Sequence, residues 1–193
     1  MGYVIAIPII PAIIFGIVWI VWIIRGIKSP PVRPIGRLLF LGGCFLMFCY
    51  YFMEFPLNAA GFWSIVDDLL PLNEAIRIIP FERLIEICQR GHADYYFEPY
   101  WIFYGGAALI GFAINLAMKK PMSLKKNALV AFLIPFGGFA IHALIRLITG
   151  AMWKCADVTD IIVFMVCYAV GYGVYLLGRL LLGKRQTEKE EKN

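Results

Sequence analysis

The sequence predicts an all-α protein: a polytopic transmembrane helical bundle of about five spanning helices plus a short amphipathic outer segment. Three observations carry this. Of 193 residues, 61% are hydrophobic and only 16% charged, whereas a soluble domain is roughly half apolar and a quarter charged. The surplus apolar surface must face lipid. The apolar residues also fall in runs close to the roughly 20 residues a spanning helix needs, and the cations gather in short clusters between those runs.

The first predicted span covers residues 3–24. No Lys or Arg precedes it, and its run exceeds the about 7–15 residues of a signal-peptide core. It therefore reads as a retained helix with its N-terminus outside. Arg25, Lys28, Arg33 and Arg37 follow it. The next spans cover 38–54, 100–117, 128–148 and 161–182. Lys119, Lys120, Lys125 and Lys126 separate the third from the fourth, and Arg179, Lys184 and Arg185 close the fifth. Loops rich in Lys and Arg stay cytoplasmic, so these loops and the C-terminus are inside. Glu54, Asp67, Asp68, Glu74, Glu82, Glu86, Asp94, Glu98, Asp157 and Asp160 crowd the remaining loops, which are read as outer. Trp19 and Trp22 then mark the inner interface, and Tyr50, Tyr51, Tyr100, Trp101 and Trp153 the outer one. Residues 1–185 make one transmembrane domain, and 186–193 read as a charged, disordered cytoplasmic tail.

The net charge of +5 is spent on this topology. No basic helix or RNA-binding aromatic motif points to nucleic acid. The five cysteines form no Cys-x-x-Cys pair, so neither a zinc site nor any other cofactor is implied. Cys88 and Cys155 both fall in outer loops, where a disulfide can form.

The outer segment, 56–98, is too long to be structureless. Ser64 and Asp67 resemble a capping box opening a short helix that Pro71 would end. After Pro80, Phe81, Leu84, Ile85 and Cys88 share one helical face. Glu82, Glu86 and Arg90 share another, at a spacing that suits ion pairs, and Gly91 can end the helix. Too short to span, this helix would lie in the outer interface or fold over the bundle as a lid.

Ionisable residues inside a span are costly and tend to face a cavity or a partner. His142 and Arg146, four apart on the fourth span, share a face. Pro135, Gly137 and Gly138 loosen the same helix. Asp157 and Asp160 precede the fifth span. They either cap it or pair with Arg146 or Lys154 around a polar outer pocket. With Arg83 these residues make the candidate outer site: Arg83, His142, Arg146, Lys154, Asp157 and Asp160. Asn115 reads as an interhelical hydrogen bond, and Gly171, Gly173 and Gly178 as points of close helix contact.

An outer segment reading Ile78-Ile79-Pro80-Phe81, two spans, then Asp157-Val158-Thr159-Asp160 leading into a helix with Gly171-Tyr172 resembles the VanZ-like family of bacterial membrane proteins. The resemblance covers about residues 66–175. Pro80, Phe81, Gly171 and Tyr172 match its motif positions, and Lys154 stands where the family often has Arg. The family's penultimate span often ends with Glu and Gln; here stand His142, Arg146 and Thr149. Its Asn falls on Phe164 and one of its glycines on Cys167, which marks a divergent member. The resemblance implies a bacterial cell membrane and an association with low-level resistance to lipoglycopeptides such as teicoplanin.

Three functions remain open. The chain binds or shields a lipid-linked envelope precursor or a lipoglycopeptide at the outer leaflet, with a cation holding a phosphate or carboxylate. Or it is a membrane-embedded enzyme with His142 as acid or base, oriented by Asp157 or Asp160. Against an enzyme, there is no Gly-x-Ser-x-Gly and there are no zinc-spaced histidines. Or it is a small transporter, which matching halves with paired broken helices would mark; no such halves are visible.

Overall fold

The computed structural model describes residues 9–26, 32–52, 76–89, 100–149 and 156–190. Their order is α1 (Ile9–Gly26), α2 (Val32–Phe52), β1 (Ile76–Arg77), α3 (Glu82–Gln89), α4 (Tyr100–Ala117), α5 (Leu124–Thr149), β2 (Ala156–Asp157) and α6 (Val158–Glu190). Apart from the two-residue strands, the described elements are helices. Three of them, over Val32–Tyr51, Leu124–Leu144 and Val158–Leu182, are long and apolar enough to cross a membrane. In α4 the apolar stretch Ile102–Ala117 is shorter. Along α5 and α6, large apolar side chains such as Leu133, Leu144, Val166, Val170 and Leu177 stay exposed, as expected of helices solvated by lipid.

Helix α4 is central. Phe103, Ala107, Ile110 and Ile114 on it pack with Met47, Tyr50 and Tyr51 of α2 and with Phe164 and Tyr168 of α6. Phe103 and Phe164 are wholly buried. Small residues bring the backbones together, as is common where lipid removes any hydrophobic drive for association. A side chain on Gly111 would strike the backbone of Tyr168, and one on Gly171 the backbone of Ala108. The α4–α6 crossing is therefore a backbone-to-backbone contact pinned by two glycines. Gly173 and Gly178, expected to serve similarly, have no neighbour in reach. Gly36 meets Leu116 and Ala117 in the same way, which sets the start of α2 beside the end of α4.

That antiparallel arrangement gives the bundle two distinct ends. At one, Lys119, Lys120, Lys125 and Lys126 are exposed on and after the α4–α5 turn. The turn is held by a buried polar network. Asn115 Nδ2 donates to Asn127 Oδ1 at 2.8 Å, and the Tyr168 hydroxyl donates to the same oxygen at 2.8 Å. Asn127 Nδ2 donates to the carbonyls of Met122 and Ser123, and the Met122 amide donates to Asn115 Oδ1. Near this end Arg37 of α2 lies over the Trp22 ring, 5.3 Å from its centroid, and donates to the Trp22 carbonyl at 3.1 Å. This fastens α1 to α2.

Some boundaries differ from the sequence reading. Helix α2 begins at Val32, because Pro34 falls in the first turn, where a missing N–H costs nothing. Helix α5 runs through Pro135 without ending. Helix α6 continues past residue 182 and into the segment read as a tail, ending at Glu190. The helix expected after Ser64 lies outside the described residues.

Candidate functional site

The site lies at the end of the bundle opposite the lysines, and its frame is the strand pair. β1 and β2 run parallel, with Ile76 opposite Ala156 and Arg77 opposite Asp157. After Pro80 the chain turns sharply: Phe81 has φ 63°, a conformation that bulky residues rarely adopt. The Phe81 amide donates to Thr159 Oγ1 at 2.8 Å, which ties the turn to the first residues of α6. The helix α3 that follows is anchored by Leu84, which packs on the core, and by an ion pair of 3.1 Å between Glu86 and Arg77. The sequence had paired Glu86 with Arg90, which lies outside the described residues. It had also grouped Phe81, Leu84, Ile85 and Cys88; the structure turns Leu84 inward and leaves the other three exposed. Cys88 is a free thiol rather than half of a bridge, and Cys155 lies outside the described residues.

Asp157 opens α6. Its Oδ1 accepts the Thr159 amide at 2.7 Å, a helix cap that satisfies one of the unpaired N–H groups at a helix start. Its Oδ2 is buried and accepts no hydrogen bond. Asp160, one turn on, accepts the Tyr50 hydroxyl on Oδ2 at 3.1 Å. Both carboxylates are almost wholly buried.

Helix α5 brings the histidine. A side chain on Gly138 would strike the Tyr51 ring, so the glycine lets that ring sit close against α5. One turn further, His142 faces it, with ring centroids 5.5 Å apart and planes inclined by 35°. Tyr50 in turn packs on Phe103 at 4.4 Å. Tyr51, Phe139, His142, Ala156, Asp157 and Asp160 line one narrow gap. In this conformation it is too tight to admit a water molecule.

Of the six candidate residues, the structure therefore brings His142, Asp157 and Asp160 together. Arg146 lies one turn beyond His142 on α5 and Arg83 lies in α3, but their side chains are outside the description, and Lys154 is outside the described residues. Pro80 and Phe81 form the turn that docks on Thr159. Gly171 serves the α4 crossing, and Tyr172 stacks on Tyr175 at 6.1 Å; both lie about three helical turns from Asp160. The capping reading of Asp157 holds through its bond to the Thr159 amide, while pairing with Arg146 or Lys154 falls outside the described side chains. Tyr50, Tyr51, Phe139 and Thr159 are site residues that sequence reasoning missed, the tyrosines having been read as an interfacial belt. Among the described residues no group of three or more His, Cys, Asp or Glu could hold a metal ion.

Chemically, the gap offers two buried carboxylates, one imidazole and aromatic walls. No family model, curated protein or solved structure matches the chain.

Proposed function

We propose that the chain is a VanZ-like, multi-pass protein of a bacterial cell membrane. It crosses about five times, with its N-terminus outside and its C-terminus cytoplasmic. At the outer leaflet it holds an envelope ligand, a lipid-linked precursor or a lipoglycopeptide such as teicoplanin, through the His142–Asp157–Asp160 gap.

The observation that carries this reading is that the two motifs behind the resemblance meet. The Pro80–Phe81 turn hydrogen-bonds Thr159 of the acidic turn, and the strand just before the first motif pairs with the strand that opens the second, across some 80 residues of sequence. The exposed lysines at the opposite end support the orientation, since cationic loops stay cytoplasmic.

The test is the susceptibility of a Gram-positive host expressing the chain to teicoplanin and to vancomycin. Protection against teicoplanin alone is expected, and it should vanish in an Asp157→Ala, Asp160→Ala double variant present in the membrane at equal level. An unprotected host carrying the unaltered chain would overturn the resistance role.

A further inference from the structure

We propose that the gap between α2, α5 and β2 is the closed form of a site for a primary ammonium group, carried by a lipid headgroup or by a free amine. The inference deepens the ligand-holding role proposed above and rests on it.

The argument starts from one atom. Asp157 is 3% exposed. Its Oδ1 is occupied by the Thr159 amide, and its Oδ2 is buried with no donor. A buried carboxylate oxygen left without a hydrogen bond is destabilising, so the fold keeps an acceptor in reserve for a donor that is not part of the cap. The surroundings say which donor. The gap's other acid is Asp160, and its walls include the rings of Tyr51 and Phe139. Aromatic faces attract cations, and a carboxylate hydrogen-bonds most strongly to a charged N–H. An ammonium offers both the charge and up to three donors. A phosphate would meet two carboxylates, and a neutral hydroxyl would forgo the charge.

The neighbouring turn suits a ligand with a hydrocarbon part. Ile78, Ile79, Phe81 and Ile85 are exposed on it, and Phe81 is held beside Thr159. Tyr51 is wedged against Gly138, so the wall that rotates to admit the ligand is Phe139, which is only partly buried.

Lipid retention tests this. The purified full-length protein is equilibrated in detergent micelles holding equal amounts of phosphatidylethanolamine, phosphatidylcholine and phosphatidylglycerol, and its retained lipids are counted by native mass spectrometry. Choline keeps the charge but has no N–H donor. Phosphatidylethanolamine is therefore expected to be enriched over phosphatidylcholine roughly tenfold, the factor that one charged hydrogen bond supplies. Asp157→Asn keeps an acceptor for the Thr159 amide yet should abolish the enrichment. Phe139→Trp, which fills the gap with Asp157 intact, should do the same at unchanged helix content. Adding millimolar ethanolamine separates the sources: displacement of the lipid means the free amine suffices, and retention means the site needs the lipid anchor. Equal retention of the two lipids by the unaltered protein, or undiminished enrichment in Asp157→Asn, would overturn the proposal. Because no antibiotic enters this readout, its failure and that of the resistance role are separable.

Discussion

Two polar clusters at opposite ends of the bundle, the Asn115–Asn127 network and the Asp157 cap, solve the same problem in opposite ways. Each buries polar side chains among apolar helices. At the lysine end, every side-chain nitrogen and oxygen of Asn115 and Asn127 takes part in a hydrogen bond, and the product is a fixed turn. At the acidic end, Asp157 caps a helix with one oxygen and leaves the other without a donor. A closed network holds shape, because nothing in it remains to be offered. An open one holds shape less completely and keeps binding capacity. Buried polarity within a membrane protein therefore has to be sorted by whether its partners are all internal before it is read as a site.

The sharpest way to break this comparison is Asn127→Leu. It removes four hydrogen bonds at once, each worth roughly 0.6 kcal/mol between membrane helices. A loss of about 2–3 kcal/mol in detergent unfolding is expected, with lipid selectivity unchanged. A loss below about 0.5 kcal/mol would mean that the closed network is not what holds the turn. Gly138→Ala acts at the other end. Its methyl group would meet the Tyr51 ring at 2.5 Å, so Tyr51 must shift, at about 1–2 kcal/mol. The expected signature is a lower melting temperature together with altered lipid retention, a pairing that Asn127→Leu should not show. The smallest effect is expected of Glu86→Ala. Its partner Arg77 is mostly covered, but the Glu86 side chain is 43% exposed, and such pairs contribute under about 1 kcal/mol. Measurable unfolding of α3 by amide exchange in this variant would promote the ion pair from ornament to support.

How much of this was legible in the sequence follows from the range of the interactions. His142, Asp157 and Asp160 could be singled out because an ionisable group near an apolar run is conspicuous without any tertiary knowledge. Asn115 was read as an interhelical hydrogen bond, and it donates from α4 to Asn127 on α5. The β1–β2 pair was illegible: two-residue strands have no periodicity, and their partners lie about 80 positions apart. Thr159 was read only as part of an acidic turn, since its value lies in accepting the distant Phe81 amide. Tyr51 looked like an interfacial ring. Only its contact with Gly138 shows that a glycine read as a helix loosener is the seat of an aromatic wall.

The crossing of α4 and α6 has a mechanical consequence. Helix α6 runs unbroken from Val158 to Glu190, and Gly171 presses it against α4 with no side chain between the backbones. The rest of α6 extends from this contact as two arms. At 1.5 Å per residue, the arms on either side are roughly 20 Å and roughly 28 Å long. Any tilt of the first turn, where Asp157 and Asp160 face the gap, is carried by a stiff rod to the far end with a modest gain. A change of tilt on one side of the bundle would thereby be felt as displacement on the other.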